Sequence, residues 1–166
     1  IDPLGQRSHY DYTIEGHLTE LRLPDGSTRQ AHYDAEGCLI RQIDPLGQAT
    51  RYEYGAFDKL TAIIEPNGAT TRYAYDTELH LTQVTNPLGQ TWHYDYDAAG
   101  RCVAETDFSG RSLRYVHDAN GAVIRQTNAR GEVTELRRDL LGRLIEQISP
   151  EGSTRFEYDQ SGRLQR

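Results

Sequence analysis

The 166-residue sequence predicts an all-β protein, a curled antiparallel β-ribbon of about sixteen short strands made from eight hairpin repeats. Two observations predict this class. Glycine recurs every 21 residues through the whole chain, and tyrosine alternates with polar residues inside most intervals, although Leu136 and Arg138 replace both tyrosines in the seventh. Strict alternation is typical of a strand with two different faces, whereas no stretch has the apolar period of an amphipathic helix. The fixed period indicates stacked copies of one supersecondary unit.

The first turn of each repeat is marked by a glycine, and all six prolines lie two residues before such a glycine. Residues 44–47 are an example, with aspartate first, proline second and glycine fourth, which is the residue preference of a type I β-turn. The turn glycines are Gly5, Gly26, Gly47, Gly68, Gly89, Gly110, Gly131 and Gly152. We therefore expect the chain to reverse at each of them.

A second glycine follows the first by eleven residues in five repeats and by ten in the last repeat. These second glycines are Gly16, Gly37, Gly100, Gly121, Gly142 and Gly162. Sequences such as residues 97–100 predict a type I turn followed by a left-handed glycine, a common hairpin connection. Asp58 and Leu79 stand at this position in the third and fourth repeats, and we interpret them as degeneration of the repeat.

The two strands of a repeat differ in character. The first carries tyrosine five and seven residues after the turn glycine, as in Tyr52 and Tyr54, with a charged residue such as Glu53 between them. The second is short and aliphatic, with leucine at a recurring position, for example Leu60. We expect tyrosines of successive repeats to stack on one face of the sheet and to supply most of its buried area. The opposite face is expected to be solvated and to form cross-strand ion pairs.

The composition excludes several classes of protein. The chain has 18 basic and 25 acidic residues, a net charge of −7, which argues against a nucleic-acid-binding protein. It has no apolar run long enough to span a membrane. Cys38 and Cys102 are too few for a disulfide framework and are expected to be free thiols. Leu, Ile, Val and Phe make up only 33 residues, a share typical of disordered chains, so the repeat itself is the reason to expect a fold.

No residue is expected to be catalytic, cofactor-binding or metal-binding, and no cofactor is expected. The six histidines lack the spacing of a metal site, and no nucleophile motif or phosphate loop occurs. Aspartate recurs at one turn position, as in Asp34, Asp97 and Asp139, which indicates a structural task in every repeat. The sequence therefore predicts that the protein is not an enzyme.

Tyrosine–aspartate pairs such as Tyr96 and Asp97 precede glycine–arginine pairs such as Gly100 and Arg101. Residues 94–101, with the sequence YDYDAAGR, are close to the unit of the RHS/YD-repeat family, and the likeness covers the whole chain. The sequence thus resembles this family of polymorphic toxins, insecticidal toxin complexes and teneurins. The resemblance implies that the ribbon is part of a hollow β-shell.

The resemblance further implies that the chain is a structural shell segment of an RHS-type polymorphic toxin. Such a shell encloses a C-terminal toxic domain and is delivered to competitor or host cells. The implied partners are the toxin cargo of the parent chain and the delivery machinery, and the implied location is secreted or on the cell surface. The alternatives are an adhesive surface module that binds glycans or proteins through exposed tyrosine rows, and a degenerate repeat segment without activity.

Residues 1–166 are expected to form one continuous array of about eight repeats with no separate domain. The sequence starts in a turn and stops within a strand, and neither end shows a polar capping repeat. We therefore expect a fragment of a longer chain, with repeats that are only marginally stable without their neighbours.

Overall fold

The computed structural model describes residues 7–165, so the predicted turn at Gly5 lies outside the described residues. Within this range there are fifteen β-strands, and the only helical element is a 3₁₀ turn at Ala56–Asp58. The strands are β1 (His9–Tyr12), β2 (Leu18–Arg22), β3 (Thr28–Tyr33), β4 (Leu39–Ile43), β5 (Ala49–Tyr54), β6 (Leu60–Ile64), β7 (Thr70–Tyr75), β8 (Leu81–Thr85), β9 (Thr91–Tyr96), β10 (Cys102–Thr106), β11 (Ser112–His117), β12 (Val123–Asn128), β13 (Val133–Arg138), β14 (Leu144–Ser149) and β15 (Gly152–Arg155). The all-β prediction is confirmed. The last arm adds only a bridge between Tyr158 and Leu164 in place of a sixteenth strand.

The strands follow their chain order, β1 to β15, in one open sheet. The contacts divide the described chain into two compact units, residues 7–75 with 84–89 and residues 76–83 with 90–165. In the first unit, β1 to β7 pair antiparallel, each with the next. In the second unit, β9 to β15 pair in the same way. Each unit is therefore a meander of short hairpins.

The first turn of a repeat is held by its aspartate. At residues 44–47 the Gly47 N–H donates to the Asp44 carbonyl at 3.0 Å, and Gly47 has a φ of +77°. The Asp44 carboxylate accepts from the backbone N–H groups of Leu46 at 2.8 Å and Gln48 at 2.9 Å. The carboxylate thus accepts hydrogen bonds from backbone N–H groups of the turn that have no partner in the sheet. This is the usual reason for aspartate at this position.

The second turn has the same closure and adds a β-bulge. In the β5–β6 hairpin the register shifts between Glu53 and Tyr54, so that Tyr54 pairs with Leu60. Leu79, at the second-glycine position, keeps the backbone conformation of glycine with a φ of +66°, and its N–H donates to the Asp76 carbonyl at 3.1 Å. Asp58 also has a positive φ, of +55°. Leu79 has therefore lost the glycine but kept the turn, because the two flanking strands fix its geometry. At Asp58 the turn differs: Phe57 also has a positive φ, of +57°, and the closing bond runs from the Lys59 N–H to the Ala56 carbonyl at 3.4 Å.

The sheet has little enclosed core. Ala62 is the only fully buried apolar residue within residues 7–165. Along β5 the tyrosines Tyr52 and Tyr54 are half-buried, while Arg51 and Glu53 on the other face are exposed. The predicted alternation of faces is confirmed. Because Ala62 alone is fully buried among the apolar residues described, each strand depends on the hydrogen bonds and contacts of its neighbours more than on a central core.

Candidate functional site

The aspartate and arginine of the repeat motif act together in the second turn. The Asp97 carboxylate accepts from the backbone N–H groups of Ala99 at 2.9 Å and Arg101 at 3.0 Å, and from Arg101 Nε at 2.8 Å. The bond from the Arg101 side chain, followed by the backbone bonds, lowers the pKa of Asp97 to about 2. The same pairing joins Arg143 to Asp139 at 2.7 Å. The motif therefore clamps a hairpin turn.

The second tyrosine of a repeat binds the repeat before it. Its hydroxyl donates to the carbonyl of the leucine that begins the second strand of the preceding repeat. This bond joins Tyr33 to Leu18, Tyr54 to Leu39, Tyr75 to Leu60, Tyr96 to Leu81 and Tyr158 to Leu144, at 2.9–3.0 Å. We call these five bonds the tyrosine–leucine ladder.

The ladder is continuous within a unit because each leucine also pairs with the tyrosine of its own hairpin. Tyr33 pairs with Leu39 in the sheet register, the Leu39 carbonyl accepts from Tyr54, and Tyr54 in turn pairs with Leu60. Burial raises the pKa of the Tyr54 and Tyr75 hydroxyls, which keeps them protonated as donors. The ladder therefore connects repeats with one type of side chain at one position.

In four of the five ladder bonds, the face of the tyrosine ring is covered by the residue directly after the second turn of the preceding repeat. The ring of His17 lies 4.9 Å from that of Tyr33, and the ring of His80 lies 4.8 Å from that of Tyr96. Two cations do the same: the Arg143 guanidinium lies 4.8 Å from the ring of Tyr158, and Lys59 Nζ lies 5.8 Å from that of Tyr75. A cation over an aromatic face is attracted by the ring quadrupole.

The predicted stacking of tyrosine on tyrosine is wrong. Every ring pair found within residues 7–165 joins tyrosine to histidine or tryptophan, or tryptophan to phenylalanine. Equivalent tyrosines of successive repeats are two strands apart, about 10 Å, which is too far for ring contact. The intervening strand and its turn provide the covering residue instead.

The sixth and seventh repeats lack the ladder tyrosine and have His117 and Arg138 in its place. In the sixth repeat, Arg101 replaces the missing bond, because its Nη1 donates to the Asp118 carbonyl at 3.2 Å. In the seventh, Arg138 Nη1 donates to the Gly142 carbonyl at 3.2 Å, and its Nε is buried without a partner. Sequence degeneration thus changes the connecting group in the sixth repeat, whereas the Arg138 bond stays within the seventh repeat.

The charged face forms some of the predicted cross-strand ion pairs. Glu146 accepts from Arg137 at 2.9 Å and from Arg155 at 3.1 Å, one on each neighbouring strand. The bond from Arg155 is the largest of the contributions that lower the pKa of Glu146. Arg125 and Glu135 pair at 3.3 Å. All these arginines are exposed, so each pair contributes little to stability.

A cleft of about 460 Å³ lies beside the turn that contains Phe108. Trp92 packs edge-on against Phe108 at 5.4 Å, and its Nε1 has no partner within the described part of the chain. Glu105, in the cleft wall, accepts from the Tyr115 hydroxyl at 2.6 Å, and burial followed by this bond raises the pKa of Tyr115. Glu105 is thus engaged by a neighbouring strand, whereas Trp92 Nε1 is buried without a partner within residues 7–165.

One cluster has the donor set of a metal site. The ligand atoms of Asp76, Glu78 and His80 lie within 4.8 Å of one another. The sequence reasoning did not predict it, although the spacing of one residue between the three side chains was visible. Within the cluster His80 Nδ1 lies 3.0 Å from the Asp76 carboxylate, and His80 also covers the ring of Tyr96. These contacts serve the turn and the ladder.

Cys38 and Cys102 are both free and half-buried. Burial is the main cause that raises the pKa of both thiols, which disfavours the reactive thiolate form. Residues 7–165 include no helix with the length and apolarity that crossing a membrane requires.

A meander of hairpins that are joined by the tyrosine–leucine ladder is the architecture of a YD-shell repeat protein. The sequence model of the Teneurin YD-shell family matches residues 8–166, which is nearly the whole chain. The chain belongs to this family, and the resemblance to RHS/YD repeats is confirmed. No curated protein sequence matches it.

Solved structures share the fold. The chain superposes on TcdB2–TccC3–Cdc42 with a TM-score of 0.72 over 92% of its length, and on TcdB2–TccC3 without the hypervariable C-terminal region with a TM-score of 0.72 over 95%. Sequence identity is 15% in both. The pore of the Photorhabdus luminescens Tc holotoxin with a TccC3 mutation gives a TM-score of 0.68 over 95% of the chain at 13% identity. The chain spans only 10% of the first two chains and 12% of the third.

Proposed function

We propose that the chain is a wall segment of a hollow RHS-type β-shell that encloses a C-terminal toxic domain of its parent chain. The shell carries this cargo out of the producing cell and to a competitor or host cell through a dedicated delivery apparatus. In this role residues 1–166 are part of one continuous repeat array, and the chain is not an enzyme.

The observation that carries the proposal is the tyrosine–leucine ladder. Each bond has its donor in one repeat and its acceptor in the repeat before, as in Tyr75 to Leu60. An array joined this way can be extended by adding repeats, which is what a wall around a cargo requires. Membership of the Teneurin YD-shell family supports the role, as do shared folds with TcdB2–TccC3, one form of which is described without a hypervariable C-terminal region.

The experiment is limited proteolysis of the full-length parent chain, with mass spectrometry of the peptides released from its C-terminal region. The ladder variant is Tyr75→Phe with Tyr96→Phe, and the control is Tyr73→Phe with Tyr94→Phe. Tyr73 and Tyr94 lie on the same strands as the ladder tyrosines, two residues earlier, and their hydroxyls make no hydrogen bond within residues 7–165.

We expect the C-terminal region to resist protease in the parent and in the control, and to be cut sooner in the ladder variant. Cleavage at one rate in all three proteins would contradict enclosure. Binding to a glycan array that is lost in Tyr73→Ala or Tyr94→Ala, without protection of a cargo, would favour the adhesive alternative.

A further inference from the structure

One histidine and two arginines lie in one row across the charged face of the first unit. His32 on β3 is in register with Arg41 on β4, and Arg41 is in register with Arg51 on β5. All three are exposed. We call His32, Arg41 and Arg51 the basic row.

The basic row forms no ion pairs within the described part of the chain, although Glu53 lies on the same face two residues after Arg51. None of its members forms an ion pair with any residue between positions 7 and 165. Like charges directly opposite one another on neighbouring strands are destabilising. The row occurs in a chain whose net charge is −7, so excess basic residues do not explain it.

At the equivalent positions of a later repeat, the two side chains carry opposite charges and form an ion pair. Arg125 and Glu135 stand 84 residues after Arg41 and Arg51, at the same place four repeats later, and form an ion pair at 3.3 Å. One glutamate in place of Arg51 would give the basic row the same pair. The scaffold thus accommodates opposite charges at these positions, and the row departs from that arrangement.

We propose that the basic row is a docking surface for an acidic polypeptide segment, whose carboxylates supply the missing counter-charge. Neighbouring strands are about 4.8 Å apart, so the row is about 10 Å long. Carboxylates on alternate residues of an extended segment are about 6.8 Å apart and fit within that length. Guanidinium groups bind carboxylates with paired hydrogen bonds of fixed geometry, which suits Arg41 and Arg51.

An acidic polypeptide fits better than a nucleic acid. A nucleic acid adds a long run of phosphates, and most of them would lie outside a three-residue row and face a surface of net negative charge. A short acidic segment places its charges on the row alone. The proposal concerns this face of the sheet and does not depend on whether the shell encloses a cargo.

The test is fluorescence anisotropy of labelled hexaglutamate titrated with the 166-residue chain at low ionic strength. The row variant is Arg41→Gln with Arg51→Gln. The control, Arg72→Gln with Arg114→Gln, changes the net charge equally and removes exposed arginines of the same face outside the row. We expect the row variant to weaken binding about five- to tenfold, as the loss of two exposed ion pairs would. The control should weaken it less than twofold.

Arg51→Glu separates binding from folding. It should recreate the pair formed by Arg125 and Glu135, raise the thermal midpoint and abolish hexaglutamate binding. Equal weakening in the row variant and the control, or no binding to the unaltered chain, would overturn the proposal. Tighter binding of a single-stranded oligonucleotide with six phosphates, lost in the same row variant, would overturn the assignment to a polypeptide.

Discussion

Replacing Tyr96 by phenylalanine removes one ladder bond and leaves the ring in place. The Tyr96 hydroxyl donates to the Leu81 carbonyl at 2.9 Å, while the ring of His80 covers its face at 4.8 Å. The substitution therefore separates the hydrogen bond from ring packing. We expect the protein to fold and to be less stable.

The magnitude follows from the position of the bond. A protein hydrogen bond contributes about 0.5–1.5 kcal/mol net, and an acceptor left without a partner away from water adds to the loss. Tyr96 is half-buried, so we expect the variant to lose about 1 kcal/mol of unfolding free energy. With a urea dependence of about 2 kcal/mol/M, the midpoint falls by about 0.5 M.

The assay is urea unfolding followed by fluorescence of Trp92, the single tryptophan, which lies on β9 with Tyr96. The matched control is Tyr94→Phe, on the same strand, whose hydroxyl makes no hydrogen bond with residues 7–165. It should shift the midpoint by less than about 0.2 M. Equal shifts in both variants would refute the reasoning, because ring chemistry and not the ladder bond would then set the stability.

Three further changes test other parts of the turn and ladder. Leu79→Gly should raise the unfolding free energy by about 0.5–1 kcal/mol in urea, because relief of the left-handed strain at φ +66° exceeds the entropic cost of glycine. Since the pKa of Asp97 is lowered to about 2, its contribution to stability is complete above its ordinary pKa of 3.8 and is lost as the pH falls toward 2. Between about pH 4 and pH 2, the urea midpoint of Asp97→Asn should therefore fall less than that of the unaltered protein. Arg143→Ala should lower the thermal midpoint by about 2–4 °C, because it removes the cation over the Tyr158 ring.

Each of these changes has a matched control in the chain. Leu141→Gly, at a turn residue without a positive φ, should not stabilise. Asp95→Asn, on the exposed face of β9, should leave the acid profile as it is. Arg111→Ala removes a 2.7 Å pair with Asp107 but covers no ring in the described chain, so it should lower the thermal midpoint less than Arg143→Ala does. A control that changes stability or the acid profile as much as its test variant does would contradict the corresponding assignment.

The turns were predictable because their chemistry is local. A positive φ favours glycine, so Gly47 and Gly100 mark turns in the sequence as they do in the structure. Leu79 shows the limit of that logic: glycine is absent at this position, yet the strands on both sides impose the same turn with a φ of +66°. Local propensity indicates a turn where it is strong and cannot exclude one where it is weak.

The contacts between repeats were not predictable to the same depth. Tyr–x–Tyr alternation indicates a strand but does not show what the hydroxyl of Tyr54 binds. A signal was available, because the second position has tyrosine in six repeats and never phenylalanine, although the chain has three phenylalanines elsewhere. The opposition of Arg41 and Arg51 depends on the strand register of the β4–β5 hairpin, which the alternation of residue types alone does not give.

The repeats hold one another through hydrogen bonds between neighbours. Site-resolved amide hydrogen exchange of Tyr54→Phe is the sharpest test, because this change removes one bond between β5 and the first residue of β4. We expect faster exchange in β3 to β6 and unchanged exchange in β11 to β14. Equally faster exchange in all strands, or unchanged exchange in all strands, would contradict this expectation.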